Sequence, residues 1–199
     1  MKVRMTYQVR ELVEHLTSRG IALTSPTGLT LNDLPVAASN ILATLWHCPS
    51  GLPNDVIARI AACPPDATPD NLAPLVQQRT LHYDGIRWRL LISLPKIQAP
   101  AGALQDALGA LVEYIAAHGG TNDGRSLLTD AIALTRACYN IEPKAVIGIF
   151  RKLEKLLKRA GDKYLVLELA ELTIKAASHQ PRSLEDVRAQ AHALICGSS

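Results

Sequence analysis

Aromatic side chains, cysteines, net charge and long apolar runs are all scarce in this chain, and each shortage removes a class of protein. Only 4% of the 199 residues are aromatic: two Trp, five Tyr and one Phe. The core must therefore be built from Leu, Ala, Ile and Val, a composition that favours helix. Four cysteines, Cys48, Cys63, Cys138 and Cys196, are scattered without a pairing pattern. In a chain of this length they read as reduced thiols, not as a disulfide frame. The net charge of +3 is the small difference between 21 basic and 18 acidic residues. A nucleic-acid-binding domain usually concentrates a larger basic excess on one face. No apolar run approaches the roughly 20 residues that a membrane-spanning helix needs. The first residues, Met1-Lys2-Val3-Arg4, lead into an amphipathic segment containing Glu11 and Glu14, unlike the apolar stretch of a signal peptide. The expected compartment is the cytoplasm, with no membrane partner.

What is present is a globular balance of 48% hydrophobic and 20% charged residues. Residues 1–34 read as a leading helix and a turn-rich connection. Val9, Leu12, Val13 and Leu16 form an i, i+3, i+4, i+7 stripe that stops at Gly20. From 35 to 97 the order is more specific. A helix over 37–48 carries Ile41, Leu42, Leu45 and Trp46 and is broken at Pro49-Ser50-Gly51. A second runs from Pro53 to about Ala62, and Cys63-Pro64-Pro65-Asp66 breaks it. Thr68 is the expected cap of a third, with Pro69 at its first position. Asp84-Gly85 between two aromatic-containing runs is a hairpin signal. Three short helices and a hairpin are the order of a winged helix-turn-helix.

From 98 to 199 the pattern is helical throughout. Leu104, Leu108, Leu111, Val112 and Ile115 form one stripe, and a helix over 127–139 follows the loop at 119–124. A helix beginning at Asn140-Ile141-Glu142-Pro143 reaches Ala160 with Val146, Ile147, Phe150, Leu153 and Leu157 inward. Gly161 stops it, and Asp162 caps the next, which carries Leu165, Leu169, Leu172 and Ile174. Ser183-Leu184-Glu185-Asp186 starts a last helix with a near-version of the capping box. The short loops imply antiparallel neighbours, an α-hairpin array. The small pair Ala170 and Ala177 is tetratricopeptide-like, with no second copy in register.

No catalytic constellation emerges from these elements. Residues 119–126, Gly-Gly-Thr-Asn-Asp-Gly-Arg-Ser, are one substitution from a phosphate-binding P-loop, with Arg125 in place of the lysine. The segment before them reads as helix where a P-loop needs a strand, so a helix-to-helix loop is expected. His47, Cys48, Cys63 and His82 lack the close spacing of zinc ligands. The carboxylate pairs Glu11/Glu14, Glu168/Glu171 and Glu185/Asp186 have nothing convergent beside them and read as solvated faces or caps. Ser50 lacks the G-x-S-x-G elbow of a nucleophile. No enzyme activity, cofactor or metal is expected.

Two binding surfaces remain. On the winged helix, Asn71, Gln77, Gln78 and Arg79 are candidates for reading bases, and Arg87 and Arg89 for holding phosphates. Against that, residues 37–96 hold five basic and four acidic residues, and Asp70 stands near the start of the recognition helix. Phosphate contacts supply much of the affinity in such complexes, so a structural or regulatory winged helix is favoured. The second surface is Arg151, Lys152, Lys155, Lys158 and Arg159, opposite the apolar stripe of their helix; it reads first as a solvated face, with an acidic partner or a phosphate backbone as the alternative.

Residues 37–46 (Ala-Ala-Ser-Asn-Ile-Leu-Ala-Thr-Leu-Trp), 49–57 (Pro-Ser-Gly-Leu-Pro-Asn-Asp-Val-Ile), 75–81 (Leu-Val-Gln-Gln-Arg-Thr-Leu) and 86–90 (Ile-Arg-Trp-Arg-Leu) carry a resemblance. They resemble the winged-helix region of signal-transduction ATPases with numerous domains (the STAND class). There such a region follows the ATPase core and precedes helical, often tetratricopeptide-like, sensor repeats. The resemblance covers about 60 residues, and the helical part agrees in type. The ATPase core has no counterpart here, nor has the histidine that many relatives carry after the wing, where this chain reads Leu91-Ile92-Ser93-Leu94-Pro95. The resemblance implies a regulatory or sensor module acting through a protein partner, with self-association open. The alternative is a winged-helix DNA-binding transcriptional regulator.

Overall fold

Leucine- and alanine-rich stretches separated by Gly and Pro breaks fold as helices wherever the apolar stripe finds a partner. In the computed structural model the described residues are 36–91, 101–119, 122–178 and 192, all within one compact unit. The expected first helix, the 21–34 connection and the helix from Ser183 lie outside the described residues. Among the described residues, seven helices and three short strands make a mainly α-helical protein. They are α1 (Val36–Trp46), β1 (Leu52–Pro53), α2 (Asn54–Ile60), α3 (Thr68–Gln77), β2 (Leu81–Tyr83), β3 (Arg87–Leu90), α4 (Ala101–His118), α5 (Asn122–Ile141), α6 (Lys144–Ala160) and α7 (Lys163–Ser178).

The strands form one antiparallel sheet in the order β1-β3-β2. Leu52 faces Trp88 across one ladder, and Tyr83 faces Trp88 across the other. Asp84 makes the hairpin turn: its Oδ1 accepts from the backbone N–H of Ile86 (3.0 Å) and Arg87 (2.8 Å). Those two bonds hold its carboxyl below the usual range. Gly85 takes φ +93°, which the turn needs and a side chain resists. Trp88, 1% exposed, stacks on Tyr83 at 4.7 Å between ring centroids and donates Nε1–H to Asn54 Oδ1 at 2.9 Å. The sheet's one buried tryptophan thus pins the start of α2.

Gly51, φ +82°, turns the chain from α1 into β1 against β3. A Cβ there would lie 2.7 Å from the Trp88 carbonyl oxygen, so the position requires glycine. Three helices end in a left-handed residue followed by an N–H that reaches back five residues: Cys63 to Ala58, Thr80 to Leu75 and Asp162 to Leu157. Only the last uses glycine, Gly161; the other two use Ala62 (φ 52°) and Arg79 (φ 56°). Asp162 then caps α7, its Oδ1 accepting from Leu165 N–H at 3.1 Å, as expected of it.

Three helix starts differ from expectation. Thr68 is the first residue of α3 and not its cap; it is buried and donates its hydroxyl to the Pro64 carbonyl at 3.2 Å. Helix α5 begins at Asn122, five residues before the expected start at 127, because Gly124 packs within the helix. A Cβ on Gly124 would lie 2.8 Å from Gly119 Cα, so this glycine permits close approach where a loop was expected. Helix α5 also continues through Ile141, and Pro143 precedes α6 in place of Asn140.

Helix α4 buries its expected stripe of Leu104, Leu108, Leu111, Val112 and Ile115, and α6 buries Val146, Phe150, Leu153 and Leu157 with Ile147 half-buried. On α7 the inward face is shifted from the expected one: Leu169 is buried, Leu165, Leu172 and Ile174 are half-buried, and Val166, Ala170, Thr173, Ala176 and Ala177 fill the contact, because small residues let this helix pack closely. Helix α6 packs on α7 and α4 on α5, and both α1 and α2 pack on α4. Arg59 of α2 and Glu113 of α4 form an exposed ion pair at 2.6 Å across that last contact. The three-helix, three-strand part and the four-helix part therefore share one body.

Candidate interaction surfaces

A charged residue in a short strand next to an Asx turn is ordinarily solvated, and Arg87 was expected to be so. Instead it is 6% exposed, and its Nη2 donates to Ser126 Oγ on α5 at 2.9 Å. In this structure the Arg87 guanidinium is thus turned to Ser126 of α5 and not presented to solvent, where a phosphate contact would need it. Beside it lies Asp130, wholly buried on the same helix. Burial pushes the Asp130 carboxyl up to about 6, while Ser50 and the Arg87 guanidinium pull the other way. The Ser50 hydroxyl and N–H approach this carboxylate, yet neither Oδ1 nor Oδ2 has a hydrogen bond of full geometry among the described residues. Burial, with the Asp130 charge added, also holds the Cys48 thiol well above its ordinary value. This polar pocket joins the loop after α1, strand β3 and helix α5, and it had no signal in the local sequence pattern.

Arg89, the other arginine of the hairpin, is exposed and ion-paired to Asp84 at 3.3 Å. On α3, Asn71 and Gln77 are exposed, with Asp70 and Pro74 exposed among them; just beyond its end Gln78 is half-buried and Arg79 exposed. The DNA candidates are therefore divided: five reach solvent to some degree, and the one best placed by charge and strand position is buried.

The basic stripe on α6 is where the sequence put it. Arg151, Lys152, Lys155, Lys158 and Arg159 are all exposed, opposite the buried face of Val146, Phe150, Leu153 and Leu157. The one acidic residue of the helix, Glu154, is 4% exposed. It accepts from Lys158 Nζ at 2.7 Å and meets His192 Nδ1 at 3.5 Å. At the end of the helix, Arg125 of α5 donates to the Ala160 carbonyl at 3.3 Å.

The P-loop-like residues fall at a helix-to-helix junction. The segment before them is α4, and Asn122 through Ser126 lie in the first turns of α5; residues 120 and 121 lie outside the described residues. Of the expected carboxylate pairs, Glu168 is engaged by Arg136, while Glu11, Glu14, Glu185 and Asp186 lie outside the described residues. Among the described residues no three His, Cys, Asp or Glu side chains gather as metal ligands, and no helix is long and apolar enough to cross a membrane. No protein-family model, curated protein or solved structure matches the chain.

Proposed function

We propose that this chain is a non-enzymatic regulatory or sensor module, a winged helix joined to an antiparallel helical array, that acts by binding a protein. The element order helix–strand–helix–helix–strand–strand, with β3 between β1 and β2, supports the winged-helix reading. The four helices that follow, joined by connections of two or three residues, support an array of tetratricopeptide-like type, in keeping with the STAND resemblance. The observation that carries the functional reading is the position of Arg87. A DNA-reading wing presents its cations to phosphates, whereas here one arginine is buried against α5 and the other is paired with Asp84. The winged helix is then an internal structural element, and the array offers the exposed recognition surface.

Duplex-DNA binding, followed by fluorescence anisotropy at two salt concentrations, tests this. The expected result is no salt-sensitive binding that depends on the winged helix. The second reading, a DNA-binding regulator, draws on the exposed Asn71, Gln77 and Arg79. Salt-sensitive binding abolished in an Arg79→Ala/Arg89→Ala variant would establish it and overturn the first.

A further inference from the structure

Charge on this protein is unevenly distributed. Helix α6 and the residue that opens α7 hold Arg151, Lys152, Lys155, Lys158, Arg159 and Lys163, against a whole-chain excess of only +3. Two acids are interspersed with them: Glu154, buried, pairs with Lys158 of the stripe and with His192, and Asp162 accepts from the Leu165 N–H, so Arg151, Lys152, Lys155 and Arg159 make up the rest of the cationic face. The stripe runs along the helix to Arg159, and there it meets a cleft. Arg125 and Lys163 stand at that cleft with Leu128, Tyr164 and one acid, Asp162, two cations to one carboxylate, around a volume of about 470 Å³. That is within the size range of small-ligand sites and ample for one bulky side chain. Tyr164 is 86% exposed and Leu167, one turn on, 45% exposed, an unusual outlay of apolar surface on an array with so few aromatics.

We infer that the α6 stripe and this cleft together form a docking site for an acidic peptide segment carrying one apolar anchor residue. The inference rests on the protein-binding reading and names the partner's chemistry. Carboxylates along the segment would face the cations of α6, which steer its approach and fix its direction. The anchor would sit against Leu128 and the Tyr164 ring, where desolvation supplies the energy that exposed ion pairs do not. A nucleic-acid strand fits less well. Successive bases need several aromatic platforms, and the stripe itself presents none, Phe150 being buried in the core.

The test uses the full chain and short fluorescein-labelled peptides of glutamate, one with a central leucine and one without. The leucine peptide should bind, lose affinity as salt rises, and weaken roughly tenfold or more with Arg151→Glu/Lys155→Glu. Tyr164→Ala should weaken the leucine peptide and leave the all-glutamate peptide unchanged. Absence of binding at low salt, or binding indifferent to the charge reversal, overturns the inference. So does stronger binding of duplex DNA, or of phosphatidylserine vesicles, that the same charge reversal abolishes. Equal binding of both peptides in the wild type removes the anchor cleft. None of these outcomes depends on Arg79 or Arg89, so failure here is distinct from failure of the regulatory reading.

Discussion

Replacing Asp130 with asparagine should make the protein less sensitive to pH, in a direction fixed by where the carboxyl sits. Its pKa is raised from 3.8 to about 6, chiefly by burial. A carboxyl with a raised folded-state pKa favours folding when protonated. Its contribution is fully present below pH 3.8 and is lost as pH climbs through about 6. The shift of about two units corresponds to about 3 kcal/mol at 1.36 kcal/mol per unit. Asparagine keeps the shape and cannot ionise. The stability difference, Asn variant minus wild type, should therefore rise by about 2.4 kcal/mol between pH 4 and pH 7.5, the rest of the change falling below pH 4. Differencing the two proteins cancels the titration of Asp84, Glu113 and every other group that both share. Any fixed cost of the amide shifts the whole difference curve without tilting it. Urea unfolding across that pH range is the assay, and the Tm difference between the two proteins should grow by roughly 5–10 °C from its acidic to its alkaline end. Arg87→Met would sharpen the result by removing the one cation that opposes the shift, so the midpoint should move above 6. A flat difference curve would show that Asp130 is solvated or fully hydrogen-bonded in the folded protein, and would refute the reasoning.

Two glycine substitutions probe the backbone in opposite senses. Gly51→Ala should cost about 2–4 kcal/mol, from left-handed strain together with a Cβ 2.7 Å from the Trp88 carbonyl oxygen. Gly85→Ala, with φ +93° but nothing within 4 Å of the added carbon, should cost only the strain, about 1–2 kcal/mol. The reverse order in urea midpoints would show that the β1–β3 approach yields easily. Ala62→Gly, at an exposed left-handed helix end, should raise stability by up to about 1 kcal/mol. A Tm lowered by several degrees would mean that the α2 terminus is held by something other than its backbone geometry.

Much of the fold was legible because its signals are local. Asp84-Gly85 foretold the hairpin, Pro49-Ser50-Gly51 the break after α1, and Gly161-Asp162 the stop of α6 with the cap of α7. The stripe of α4, and that of α6 apart from the half-buried Ile147, read correctly because burial on a helix repeats every 3.6 residues, whereas on α7 only Leu169 of the expected stripe is buried. Gly124 misled for a physical reason: a glycine needed for tight packing within a helix has the same letter as one that ends it. Arg87 and Asp130 were illegible in a different way. They meet across more than forty positions, and nothing in Ile86-Arg87-Trp88 marks the arginine as buried. The basic stripe was visible as composition, but the burial of Glu154 beneath it, which leaves the outer face all cationic, emerges only from packing.

The sheet has a further consequence for how copies or partners can assemble. One of its edges is β1, two residues long and half proline; the other is β2, only three residues. Pro53 has no N–H to offer a neighbouring strand. An edge this short and chemically blunted gives an incoming chain almost no ladder to extend, which is how many proteins guard against strand-to-strand aggregation. Among the described residues, this sheet therefore offers little to recognition by β-augmentation. What this part of the molecule leaves exposed for contact is then mainly side chains on helices, which discriminate by charge and shape and not by backbone pairing.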